Sequence, residues 1–239
     1  MALIKAKRFW TDVTISPDTD GFAVELDGRR VSTPAKTTLI LPTQAAAQLV
    51  ADEWSAVDGE LDPATMPATR WANSAVDKVV PQHAAVAAML AEYGGSDLLC
   101  YRADGPKGLQ AAQSSAWDAP LAWAAKALNA PLKVTEGLAP IQQPEASLKN
   151  LSAVLHAYDP FTLAAVHDVI TLTGSLILGL SVSEGAMKVE AAWAASRVDE
   201  DWQISQWGTD EEAESLAAAK RADVLFAARA LRSLTKPAQ

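Results

Sequence analysis

Residues Phe161 to Val182 are apolar on nearly every side of a helical projection, whereas the segments before and after them carry distinct polar stripes. A helix without a polar face can be covered only from all sides, so it belongs at the centre of a bundle. Its most apolar run, Leu172 to Val182, is interrupted by Thr173, Gly174, Ser175 and Gly179 and is too short to cross a bilayer. The chain around it obliges. Helical periods are predicted over Gln82–Tyr93, Gly108–Asn129, Glu145–Ala157, Phe161–Val182, Ala186–Trp207 and Asp210–Leu234, with one extended piece at Leu132–Thr135 and a frayed tail after Leu234.

The first forty residues read differently. Asp12–Ile15 and Phe22–Leu26 alternate as strands do, and Asp27-Gly28 before Arg30–Ser32 is a two-residue hairpin signal. Leu39–Leu41 adds one more strand. Thr43 then caps a helix with Ala46, Val50, Trp54 and Val57 on one side and Gln44, Gln48, Asp52 and Ser55 on the other, so its apolar side should lie on the sheet. After a loop marked by Pro63 and Pro67, a second helix carries Trp71, Ala75 and Val79 until Pro81 stops it. The expected fold class is α+β. A small N-terminal antiparallel sheet with packed helices occupies residues 1–80, and a mostly helical bundle domain occupies residues 81–239.

With 239 residues, 49% of them hydrophobic, the chain can bury a full core. Its net charge of −9, from 20 basic and 29 acidic residues, and the lack of any basic cluster longer than Lys5 to Arg8 make nucleic acid and anionic membranes poor partners. The single cysteine, Cys100, excludes an internal disulfide, fits a reducing compartment and reads as a small buried hydrophobe within Leu98-Leu99-Cys100-Tyr101. The N-terminal residues lack the apolar core of a signal peptide and the character of a transit peptide, so a cytoplasmic location is expected.

The most informative short segment is Arg197 to Gly208, which holds three consecutive acids and two tryptophans. Sorted by 100° steps along one helix, Glu200 shares a stripe with Val189, Trp193, Ile204 and Trp207. Trp202 shares the opposite stripe with Met187, Ala191, Ala195 and Val198, and Asp199 falls on a polar stripe with Gln203 and Gln206. An isolated buried charge costs several kcal/mol, so a carboxylate on an aromatic face needs an internal partner, a raised pKa or a place at an interface. On this pattern Glu200 is expected to be a buried anchor, Trp207 a core residue and Asp199 a surface contact.

Enzymatic chemistry finds little support. No G-x-x-x-x-G-K-[ST] cradle occurs, and the glycine clusters Gly94-Gly95-Ser96 and Gly105-Pro106-Lys107-Gly108 neither follow a predicted strand nor open a helix as a phosphate loop does. His83, His156 and His167 are too dispersed for a metal motif, and on a helix His167 and Asp168 should point apart. There is no G-x-S-x-G elbow, and Asp199 and Asp201 diverge on a helix, which leaves a small carboxylate- or His-dependent hydrolase as the weaker alternative. A scaffold without client selectivity is a second one. Neither a cofactor nor a small-molecule substrate is expected. Eight tryptophans exceed what a small core needs; about two thirds are expected inside, Trp54, Trp71, Trp117 and Trp123 among them, and the remainder at a binding surface.

Four blocks carry a family resemblance: VELDGRRVSTPAK at Val24 to Lys36, EWSAVDGELDPATMPATRWANSAVDKV at Glu53 to Val79, EYGGSDLLCYRADGPKGL at Glu92 to Leu109, and SRVDEDWQISQWG ending at Gly208. Together they closely resemble the Atp12 family of assembly chaperones for the F1 sector of ATP synthase. The resemblance implies an N-terminal α+β domain and a C-terminal helical one, and no catalysis. It implies transient, ATP-independent binding of the F1 α subunit, which prevents aggregation until the α/β hexamer assembles. The family's acidic motif falls on Asp199, Glu200, Asp201, Trp202 and Gln203, the partner-binding residues this resemblance implies. Asn73 and Asp97 also match and could cap turns or helix ends.

Overall fold

A computed structural model describes residues 7–137 and 139–235. Most of the tail expected to fray, residues 236–239, lies outside them. The chain forms two compact units: Met1–Gln82 with Asp159–Ala165 and Arg229–Gln239, and His83–Tyr158 with Val166–Ala228.

In the first unit, β1 (Val13–Asp18) and β2 (Gly21–Leu26) pair antiparallel, with Ile15 opposite Val24. β3 (Arg29–Arg30) continues the sheet beyond β2, and β4 (Ile40–Leu41) pairs with the other end of β2. Asp27 and Gly28 both adopt positive φ, 50° and 77°, the turn that matches the right-handed twist of the strands. Helix α1 (Gln44–Ala56) packs on β1 and β2. The Thr43 hydroxyl caps it by accepting from Ala46 N at 3.0 Å, and Ala46, Ala47, Leu49, Val50 and Ala51 form its buried side. Helix α2 (Pro67–Ser74) has no capping side chain of its own, so Glu53 of α1 serves, accepting from Ala68 N at 2.6 Å and Thr69 N at 2.8 Å. Trp10 and Trp54 meet edge to face at 5.0 Å, and the Trp71 indole donates to Phe161 O at 3.0 Å.

Pro81 does not end the second helix. A π turn over Ala75–Val79 widens the ladder, α3 (Val80–Ala91) follows directly, and the proline's effect appears as a kink at Gln82 (φ −132°, ψ 25°). Asn73 is no cap either, since its buried Oδ1 has no hydrogen-bond partner among the described residues.

The second unit contains α4 (Lys107–Ala127), α5 (Glu145–Ala157), most of α6 (Pro160–Thr173), α7 (Leu176–Ser183), α8 (Val189–Ser196), α9 (Val198–Trp207) and the first part of α10 (Glu211–Leu234). β5 (Tyr101–Arg102) and β6 (Thr135–Glu136) make one short parallel pair, the second overlapping the extended piece expected there. The apolar segment at 161–182 is buried as anticipated, but as two helices rather than one. Gly174, at φ 68°, ends α6, and the Ser175 hydroxyl starts α7 by accepting from Leu178 N at 3.0 Å. Cys100 is fully buried, and burial pushes its thiol up to about 12, so it acts as a hydrophobe.

Asp97 is a fully buried carboxylate that ties two chain segments together. It accepts from Leu99 N at 3.0 Å and Ser175 Oγ at 2.8 Å through one oxygen, and from Ile177 N at 3.0 Å through the other. It therefore caps both the turn at Leu98–Cys100 and the start of α7. Burial outweighs these bonds and raises its pKa from 3.8 to about 6. The folded state then binds more protons than the unfolded chain between pH about 4 and about 6, so stability falls as pH rises through that window and is flat above it. We expect this one group to account for a decline of about 3 kcal/mol. Denaturant titrations across the window should show the slope in the parent and its loss in Asp97→Asn.

Candidate functional site

The acidic segment starts a helix rather than sitting within one. The expected continuous helix over Ala186–Trp207 is broken at Arg197 (φ −105°, ψ 5°), so α9 begins at Val198 and Asp199, Glu200 and Asp201 occupy its first turn. Unpaired N–H groups give a helix N-terminus a partial positive charge, which three carboxylates offset. Clustered acids are themselves a helix-start signal, and they marked this break in the sequence.

Helix α4 holds the break in place. The fully buried Trp117 donates its indole N–H to Ala195 O at 2.7 Å, a carbonyl freed from the helical ladder where α8 ends. One turn earlier, Gln113 donates from Nε2 to Asp199 Oδ1 at 2.6 Å, while its Oε1 accepts from Ala103 N at 2.9 Å. Trp202 leans on Gly108 in the first turn of α4, where an added Cβ would collide with the indole. Arg102 stacks its guanidinium 5.1 Å over the Trp117 ring and pairs with Asp118 at 2.8 Å, packing against a face of the same tryptophan.

These contacts invert the expected faces of α9. Glu200 is not a buried anchor: its side chain is 54% exposed and lies 3.8 Å from Arg197 Nη1. Trp207 is not core but 80% exposed. Asp199, expected on the surface, is the half-buried acid bonded to Gln113. Asp201 is 62% exposed, 3.6 Å from Arg197 Nη2, and Gln203 is exposed beside it. Trp202 and Glu200 do lie on opposite sides of α9, but the side taken as inner was wrong, because α4 meets the Trp202 side. The break at Arg197 removes the single helix on which the stripes were drawn, and Asp199 turns inward with Trp202, away from the exposed Gln203 and Gln206. Of the five motif residues, Asp199 and Trp202 hold the helix, while Glu200, Asp201 and Gln203 face outward.

The outward stripe forms one wall of a groove of about 560 Å³ whose other wall is the first half of α10. Ile204 and Trp207 of α9 face Ala213, Ala217 and Ala218 of α10, and these small residues leave the space unfilled.

No converging catalytic set accompanies this surface. Asp199 is committed to Gln113, and Asp201 stands beside Arg197. His167 and Asp168, expected to point apart, do meet, Nδ1 to Oδ1 at 2.9 Å, because both side chains lie partly exposed and can bend toward each other. Among the described residues there is no group of three or more potential metal ligands and no helix long and apolar enough to cross a membrane.

Two substitutions separate the inner face from the outer. Gly108→Ala should displace Trp202 and cost about 1 to 3 kcal/mol. Trp207→Ala should change stability by less than about 1 kcal/mol, since the side chain is already in water. Thermal melts of both variants check the pair.

Comparisons with known proteins show the family and the fold. Residues 7–125 match the family model described as ATP12 chaperone protein. The crystal structure of Atp12 from Paracoccus denitrificans is 49% identical, with a TM-score of 0.93 over 96% of this chain and 99% of that one. An aspartate-to-lysine mutant of Atp12p from the same organism is 48% identical, with the same TM-score over 96% and 98%. An Agrobacterium tumefaciens protein, described as a candidate chaperone, is 41% identical with a TM-score of 0.92 over 96% and 86%. With nearly half of its residues shared along almost the whole of a known Atp12, this chain belongs to the ATP12 chaperone family.

Proposed function

We propose that this protein is an ATP-independent assembly chaperone of F1 ATP synthase, which binds the unassembled α subunit and prevents its aggregation before the α/β hexamer forms. One observation carries the placement of the binding surface. Glu200, Asp201, Gln203 and Trp207 stand in solvent on a helix that Trp117, Gln113 and Gly108 fix from behind. Large exposed aromatics on a rigid element are typical of binding hot spots, and here they contribute little to folding. Asp199 and Trp202 serve the same surface as positioning residues. The α subunit would leave when β competes for the surface that the chaperone covers, so no nucleotide-driven step is needed.

In light-scattering assays of purified, unassembled F1 α subunit, the protein should suppress aggregation at a near-equimolar ratio and equally well without ATP. The double variant Glu200→Lys with Asp201→Lys removes exposed ion pairs with Arg197 and places two cations in the first turn of α9, and should cost about 1 to 2 kcal/mol of stability, leaving the protein folded. It should nevertheless protect the α subunit much less. Strict dependence of protection on ATP hydrolysis would refute the mechanism, and full protection by the double variant would remove α9 from the client surface.

A further inference from the structure

The groove between α9 and α10 has two helical walls, and none of the described residues fills it. Along α9 its lining recurs at Glu200, Ile204 and Trp207, one helical stripe, with Trp193 of α8 and Arg197 at the break beside it. Along α10 it recurs at Ala213, Glu214, Ala217, Ala218 and Arg221, another. The helices are joined through Gly208, at φ 86°, and Asp210, whose carboxylate caps α10 by accepting from Glu212 N at 2.9 Å and Ala213 N at 3.0 Å. Protein interiors are filled to crystal density, and a bulky stripe opposite an alanine stripe leaves a gap of this size open.

The first half of α10 is an arm that packing barely supports. Between Glu211 and Asp223 only Ala217 is even half-buried. The arm stays helical through its alanines, its cap, the acids Glu211, Glu212 and Glu214 in its first turn, and its continuity with the packed residues from Val224 onward. A largely exposed helix of this kind presents a finished wall.

The rim of the groove is acidic. Glu200, Asp201, Asp210 and Glu214 line it against Arg197 and Arg221, and Arg197 already lies beside Glu200 and Asp201 and 5.9 Å over the Trp193 ring. An apolar floor between two helical stripes is completed by a third helix. Acidic margins select one with lysine or arginine beside its apolar face.

From this we infer that the α9/α10 groove takes a single helical segment of the client α subunit, apolar on one face and flanked by basic residues, which completes a three-helix bundle. The inference rests on the α-subunit reading above and adds the mode of capture and the chemistry of the captured segment. Ile204, Trp207 and Ala217 make the apolar contact. Glu200, Asp201 and Glu214 meet the cations.

Binding of purified F1 α subunit to the parent, to Ala217→Trp and to Ala219→Trp tests it. Ala217 lines the groove, whereas Ala219 is exposed on the same helix outside it, so the two variants carry the same chemistry to different faces. Ala217→Trp should weaken binding by about tenfold or more, with Ala219→Trp close to the parent. Parent affinity should also fall as salt rises from about 0.05 to about 0.5 M. Zero-length carbodiimide cross-linking, which joins carboxylates to lysines in contact, should connect Glu200, Asp201 or Glu214 to lysines of one α-subunit segment. Failure of the parent to bind α subunit overturns both the reading and this inference. Binding by the parent with equal effects of the two variants overturns the groove alone, as do cross-links only to a second copy of the chaperone. Affinity that is insensitive to salt overturns the basic segment.

Discussion

The indole of Trp117 decides how the C-terminal helices are arranged. Its N–H needs an acceptor because the ring is completely buried, and the Ala195 carbonyl provides one only where the α-helical ladder stops. Satisfying that donor therefore goes together with the break at Arg197. From the break follow a new helix N-terminus, a use for three consecutive acids there, and a fresh direction for the chain that follows. Gln113, one turn before Trp117 on α4, repeats the logic by bonding Asp199, so a single helix sets the position and the rotation of α9.

That rotation explains how one segment can be anchored and available at once. Asp199 and Trp202 point to α4, and Glu200, Ile204 and Trp207 to the groove. A surface meant to bind without first rearranging needs its side chains on an element whose conformation is already fixed. The buried contacts with α4 meet that need, and α10 provides a second wall whose order rests on intrinsic helix propensity. In the mode of capture proposed above, the acidic rim would raise encounter rates with a basic client segment and the apolar stripe would supply the contact area.

Asp97 shows the opposite use of an acid. All its hydrogen bonds run inward, to Leu99, Ser175 and Ile177, and desolvation raises its pKa despite them. It joins two stretches that lie far apart in sequence, so its worth is conformational. Glu53 plays a comparable part in the first unit by capping a helix that has no cap of its own. Asp97 and Glu53 thus organise the fold from within, whereas Glu200 and Asp201 face solvent.

Much of this was legible in the sequence, where the signal is local. Asp27-Gly28 dictated a hairpin because both residues tolerate positive φ, Thr43 marked the start of α1, and the apolar segment at 161–182 had to be central. The α+β class followed from such patterns, and the family from the resemblance of four sequence blocks. Periodicity also set Trp202 on the side opposite Glu200, Ile204 and Trp207, though it grouped Asp199 with Gln203 and Gln206, which face solvent while Asp199 faces α4. It could not say which stripe faces inward, because amphipathic spacing gives relative angles and not the position of the partner helix. Here the partner α4 meets the side of Trp202, and the alanines of α10 leave the side of Trp207 open, so Glu200 and Asp199 exchanged the places expected of them. The sequence by itself determined the hairpin, the fold class and where most of the helices lie in order along the chain. Only the tertiary structure decided which face is covered, since that depends on contacts with α4 at residues 108–117, some ninety positions away along the chain, which no local spacing records.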